Sequence, residues 1–146
     1  MPHGLFHVPV PENEPVLQYA PGSPEKIALK TEIEKLKSQK IEIPVLIGGK
    51  EIRTGKTGQC ICPHDHQHIL GEYHQGSEKE VHLAIAAALK ARKDWANMPI
   101  EARASIFIKA AELLEGPWRP VLNAATMLNA IKTVLQAEID SACELI

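Results

Sequence analysis

The spacing of apolar residues changes from helical to strand-like and back again along this chain, and those changes limit its fold more than any other feature. Between residues 43 and 75 the pattern is that of short strands. Ile43 to Ile47 is rich in β-branched residues, Gly48-Gly49 is a two-residue hairpin signal, and Lys50 to Thr54 resumes the strand. Gly55 to Gly58 marks a second turn, and Gln59 to Cys62 and His68 to His74 read as further strands around "PHDHQ". Three or four antiparallel strands are expected there. From Ser77 onward the period is helical. "SEKE" forms a capping box, with Ser77 as cap and Glu80 reaching back. Val81, Ile85, Ala88, Leu89, Arg92 and Trp95 follow at helical spacing.

Pro99 ends that helix and starts another. In the second, Ala102, Ile106, Ala110, Leu113 and Leu114 are expected to form the buried face, and Gly116-Pro117 stops it. Residues 118–146 read as helical again, with a break near Asn129. Ahead of the strands, "GSPEK" starts a helix with Ser23 as N-cap and Pro24 in the first turn. Ile27, Leu29, Ile33 and Leu36 form its apolar stripe, which fades near Lys40. Residues 1–22 are Pro-rich and expected to run as an extended arm. The chain stops at "CELI" inside an apolar-periodic run, without glycine or proline, so it reads as cut there.

Charge excludes some functions. The 146 residues carry 16 basic and 18 acidic side chains, which leaves no footprint for nucleic acid or an anionic membrane. The first fifteen residues lack the basic start and apolar core of a secretion signal, and also the Arg-rich pattern of a mitochondrial presequence. The expected compartment is the cytoplasm, or the mitochondrial matrix in a eukaryote that removes an upstream presequence. Three cysteines suit reduced thiols. Aromatics make up only 4% of residues, so the core must rest on aliphatic helix faces.

The densest chemical cluster is "CICPHDHQH", Cys60 to His68. As a zinc site it is poorly spaced, because the ligands recur every second residue and Pro63 interrupts them. A hairpin tip is the plainer reading. As a nucleophile, Cys60 or Cys62 would have histidine nearby but no oxyanion donors and no orienting group. Cys143 reads as a buried, inert thiol. "GKTG" lies between strands, where a phosphate loop cannot form. Glu138, Asp140 and Glu144 fit the solvated face of the last helix. Glu144 lies roughly one and two-thirds turns beyond Glu138, so the two point in different directions. No residue set forms a complete active site, and no metal site is assigned.

The run from "VLIGGKEIRTG" through "IFIKAAELLE" resembles the amino-terminal part of the aldehyde dehydrogenase superfamily. "NEPVLQYAPGSPEK", "PHDHQHILG", "AATM" and "QAEIDSACELI" narrow the resemblance to its 1-pyrroline-5-carboxylate dehydrogenase branch, from about Asn13 to the last residue. The resemblance implies an α/β fold. Here only its amino-terminal part is expected, mostly helices plus a small antiparallel hairpin group. Residues 1–22 would be an arm, and 23–146 an incomplete part of the cofactor-binding domain: a helix, hairpins over 43–75, and helices over 77–146.

The activity so implied is NAD-dependent oxidation of L-glutamate γ-semialdehyde to L-glutamate in proline breakdown. The resemblance implies that a cysteine thiolate would attack the aldehyde, that the nicotinamide would supply the hydride acceptor, and that water would hydrolyse the thioester. The resemblance places the nucleophile, the base and the cofactor residues beyond Ile146, so none of the three cysteines takes that role. It aligns Glu144 with a glutamate near the amino-acid end of the substrate, where a carboxylate can pair with the α-ammonium. It implies a small-molecule substrate and a homo-oligomer when complete. In one departure, Asn129 and Ala130 stand where the family tends to have glycine and glutamine before Lys132. The chain alone is expected to be inactive, with apolar helix faces exposed. Two other readings remain, a non-catalytic helical interaction module and a decayed gene product.

Overall fold

A computed structural model describes residue 10 and residues 12–146. Of the expected arm, residues 12–20 carry no helix or strand and 21–22 form a turn; residues 1–9 and 11 lie outside the described residues. Helix α1 spans Pro24–Lys37. Ser23 caps it by accepting the Lys26 N–H at 3.4 Å, Pro24 opens the first turn, and Lys35 and Lys37 lie at the negative end of the helix dipole.

Five strands follow: β1 (Ile41–Ile43), β2 (Val45–Ile47), β3 (Lys50–Ile52), β4 (Thr57–Cys62) and β5 (Asp65–His74). β2 and β3 form the expected hairpin. Gly48 and Gly49 both sit at positive φ, 57° and 76°, as a two-residue turn matched to strand twist requires. The second turn is shorter than expected, because Gly58 already belongs to β4.

The all-antiparallel expectation fails at β1. Pro44 has no N–H to give a ladder, so it splits the run from Ile41 to Ile47. β1 leaves its neighbour and pairs in parallel with β5, setting Ile41 opposite Gly71 and Ile43 opposite Tyr73. The result is one three-stranded sheet, ordered β1-β5-β4, beside the two-stranded hairpin. Gly71 permits the pairing: a Cβ there would lie 2.5 Å from the Ile41 carbonyl oxygen. β4 and β5 are antiparallel, with irregular register between Cys60 and Cys62.

Four helical elements complete the chain. They are α2 (Glu78–Asn97), α3 (Ile100–Glu115), α4 (Arg119–Ala130) and α5 (Val134–Glu138); a π-helical turn over Ile139–Cys143 continues α5. At α2 the Glu80 carboxylate accepts both the N–H and the hydroxyl of Ser77, at 2.8 and 2.6 Å, and the Ser77 hydrogen bonds hold its carboxyl below the usual range. The break after α4 falls at Ile131, two residues beyond the expected position, with Ile131 in the left-handed region at φ 52°. Thr133 then caps α5 by accepting the Gln136 N–H.

The core lies between α1 and α4. Tyr19, Leu29 and Ala124 are buried there, and Leu17, Ile33, Leu36, Met127 and Val134 pack around them. Ile27 does not join the stripe, being exposed. The expected buried face of α3 is also absent. Ala102, Ile106, Ala110 and Leu113 are exposed and Leu114 is half-buried, because no described element covers that side. α2 behaves alike, with Val81, Ile85 and Leu89 exposed. Trp95 and Phe107 meet edge to face at 6.5 Å, joining the two helices to each other. The apolar faces are therefore open, as expected for the amino-terminal part of a larger fold and not buried as periodicity alone suggested.

Candidate functional site

The most tightly built polar cluster is internal. Glu138, the last residue of α5, has no solvent exposure. Its Oε1 accepts the Leu17 N–H at 2.9 Å and the Arg119 Nη2–H at 2.5 Å. Its Oε2 accepts the Tyr19 hydroxyl and the Asn123 amide, both at 2.7 Å. Arg119, at the start of α4, also donates to Glu14 and to the Pro15 carbonyl. Asn123 donates a second hydrogen to the Tyr19 oxygen at 2.8 Å. The arm from Glu14 to Tyr19 is thus clasped onto α4 and α5.

Electrostatics follow from this geometry. Burial alone would raise the Glu138 carboxyl, but hydrogen bonds from Arg119, Tyr19, Leu17 and Asn123 outweigh it and leave the group below its usual range. Burial opposes the charge on Arg119, and its two carboxylate partners reverse the effect and raise it. Burial, then the adjacent Glu138, pushes the Tyr19 hydroxyl up. Both carboxylate oxygens are engaged by fixed donors, so the cluster holds structure rather than moving protons.

The sequence reading assigned Glu138, Asp140 and Glu144 to a solvated face, and Glu138 overturns this by being buried. Asp140 is half-buried and pairs with Lys132. Glu144 is exposed and follows the π-helical turn directly, its N–H donating to the Ile139 carbonyl at 3.0 Å. Of the two glutamates, Glu138 is buried and Glu144 exposed. The rotation between them is not that of an α-helix, since a π turn takes up an extra residue.

Cys62 is 1% exposed, and its Sγ lies 3.4 Å and 3.5 Å from the two ring nitrogens of His64. Cys60 is half-buried on the same strand face. His66 is exposed and His68 half-buried. Among the described residues no three His, Cys, Asp or Glu side chains are grouped to hold a metal ion. Cys143 lies in the π turn, where burial and then the Glu138 charge raise its thiol above the usual value. A groove of about 360 Å³ runs between α4 and the sheet, lined by Leu36, Ile41, Ile43, Leu70 and Leu128, with Thr126 and Asn129 as its polar groups.

The glycine turns and the β5–α2 connection do not fit the phosphates of a dinucleotide. Gly48, Gly49 and Gly55 stand in turns between strands. The strand-to-helix connection from β5 to α2 ends at a helix start taken up by the Glu80 carboxylate, an anion where a phosphate would have to bind.

A profile of the aldehyde dehydrogenase family matches residues 51–145. The chain belongs to the aldehyde dehydrogenase family. Curated relatives from this family include the Delta-1-pyrroline-5-carboxylate dehydrogenase of Agaricus bisporus. It is 45% identical over 141 residues, which is 96% of this chain and 26% of that protein. The mitochondrial enzyme of the same name from Homo sapiens is 43% identical over 134 residues, covering 92% of this chain and 24% of that one. The crystal structure of the Delta-pyrroline-5-carboxylate dehydrogenase from Mycobacterium tuberculosis, bound with NAD and cobalamin, matches with a TM-score of 0.93 at 44% identity. That match covers 97% of this chain and 27% of the other. This aldehyde dehydrogenase chain thus spans about a quarter of the length of the curated relatives it matches.

Sequence reasoning missed Arg119, Asn123 and Tyr19. Tyr19 and Glu138 are 119 residues apart, and a helical period cannot show that a distant arm covers one residue of a charged face.

Proposed function

We propose that this chain is the amino-terminal segment of an NAD-dependent dehydrogenase that oxidises L-glutamate γ-semialdehyde to L-glutamate in proline catabolism. The observation that carries the reading is identity of 38–45% to proteins named Delta-1-pyrroline-5-carboxylate dehydrogenase, sustained over at least 92% of the chain. Residues 23–146 would belong to the cofactor-binding domain, while NAD itself would be held by residues outside this chain. Glu144 would pair with the substrate α-ammonium. Its place in "QAEIDSACELI", one of the segments that carry the family resemblance, supports that role. The complete enzyme would take a small-molecule substrate and assemble as a homo-oligomer. Its compartment would be the cytoplasm or the mitochondrial matrix, and the human and bovine relatives are named as mitochondrial. Among the described residues no helix is long and apolar enough to cross a membrane.

The test replaces the matching quarter of the Mycobacterium tuberculosis enzyme with this chain. Reduced cofactor is then followed with glutamate γ-semialdehyde and with other aldehydes. Turnover that favours the semialdehyde is expected, with none from the 146-residue chain alone. A grafted enzyme that oxidises simple aldehydes but not the semialdehyde would overturn the substrate assignment.

A further inference from the structure

The helical run after Thr133 is unusual in one place. Over Ile139–Cys143 it widens into a π turn, a form that accounts for well under 1% of residues in globular proteins. Such turns cost favourable backbone geometry and concentrate at functional sites. An α-helix rotates about 100° per residue, so one residue absorbed by the wider turn sets every later side chain back by about that angle. Glu144 is the first residue after it.

Side chains hold the turn on both sides. The Glu138 clasp fixes the residue before it. The Ser141 hydroxyl, inside the turn and buried, shares a hydrogen bond of 2.6 Å with Thr126 of α4. Asp140, also in the turn, pairs with Lys132 from the α4–α5 connection. These contacts reach the turn from two separate segments, whereas helix propensity alone would close it into an ordinary α-helical turn.

We propose that Lys132, Asp140, Thr126 and Ser141 are positioning residues that keep the 139–143 turn open and thereby aim Glu144 at the amino-acid end of the substrate. The inference rests on the reading of Glu144 given above and adds to it the device that sets the carboxylate's direction. None of the four needs to touch the substrate. Their effect is carried through the rotation of the backbone between Glu138 and Glu144.

The experiment uses the complete grafted enzyme with Lys132→Met, Thr126→Val and Glu144→Gln made separately, and Lys132→Arg as the conservative variant. KM and kcat are measured for glutamate γ-semialdehyde and for the same aldehyde lacking the α-amino group. Amide hydrogen exchange at Glu144 is followed in the same samples. Lys132→Met and Thr126→Val should each raise KM for the semialdehyde roughly tenfold, change kcat less, and speed exchange at Glu144. KM for the aldehyde without the amino group should move by less than about twofold, and Lys132→Arg should recover most of the loss. If Glu144→Gln raises KM while Lys132→Met and Thr126→Val leave KM and exchange as they were, the positioning inference is overturned. An unchanged KM in Glu144→Gln sinks the substrate role itself; exchange then still decides whether the side chains hold the turn.

Discussion

Two regions of this chain invert the usual rule for what lies inside a protein. Around Glu138 a carboxylate, a guanidinium, an amide and a phenol are buried together. Along α2 and α3 large apolar side chains are open, Leu89 at 61% and Phe107 at 66%. The difference is one of completeness. The buried charges find every major partner within this chain, from the arm, α4 and α5. The apolar helices find few, α2 touching β2, α3 touching α4, and Trp95 meeting Phe107 between them, and their open surface is what a larger hydrophobic layer would cover. The relatives have about three further quarters of chain to supply such a layer.

The sharpest way to break this comparison is to remove the centre of the clasp. Glu138→Ala leaves Arg119 buried beside fewer carboxylate oxygens and frees Tyr19 and the Leu17 N–H. Breaking one side of a buried pair costs about 3–5 kcal/mol, so denaturant unfolding should show a loss of that order. A loss below about 1 kcal/mol would mean that the cluster is solvated in solution.

Acid should weaken the same region. The Glu138 carboxyl lies lower in the folded chain than in the unfolded one. Its contribution is therefore complete above the unfolded value of about 4.3 and is lost as pH falls below that, toward the lower folded value. The stability gap between wild type and Glu138→Gln should be constant near neutral pH and shrink in that acidic window. A gap that widens on acidification would reverse the assigned sign.

A smaller effect is expected at the α4–α5 connection. Ile131 is β-branched and held at φ 52°, a conformation that costs a side-chain-bearing residue roughly 1–2 kcal/mol. It is also exposed, so little packing is forfeited by shortening it. Ile131→Gly should raise stability by about 1 kcal/mol, read as an upward shift in Tm. No shift, or a fall, would show that the side chain contributes more than its exposure suggests.

The smallest effect belongs to the open helices. Leu89→Ala in the isolated chain should change stability by less than about 0.5 kcal/mol. In the complete grafted subunit the same change should cost roughly 2 kcal/mol or more, as for a buried leucine. Equal costs in both would show that nothing covers α2.

Local chemistry made much of the fold readable. Ser23 and Pro24 start α1, Gly48-Gly49 turns the first hairpin, Ser77 and Glu80 start α2, Pro99 separates α2 from α3, and Gly116 ends α3. Each signal acts within a few residues, through φ, a missing N–H or a capping oxygen, and so survives whatever surrounds it. The candidate site was less readable. Periodicity suggested an inward face on α3 but could not supply the layer that buries it. It placed Glu138 among solvated acids because a helix repeat shows direction and not what stands there.

Backbone stereochemistry and the hydrophobic period thus account for where the helices and turns fall, and a run of family-like segments accounts for the family to which they belong. Four outcomes depended on what stands, or does not stand, beside a segment in space. They are the parallel pairing of Ile41–Ile43 with Gly71–Tyr73, the burial of Glu138 under the Tyr19 arm, the π turn before Glu144, and the bare faces of α2 and α3. The physical reason is common to all four. A strand edge, a buried charge, a widened turn and an apolar face each depend on whether a partner stands beside them, and partners from 8 to 121 residues away leave no local mark on the positions they complete.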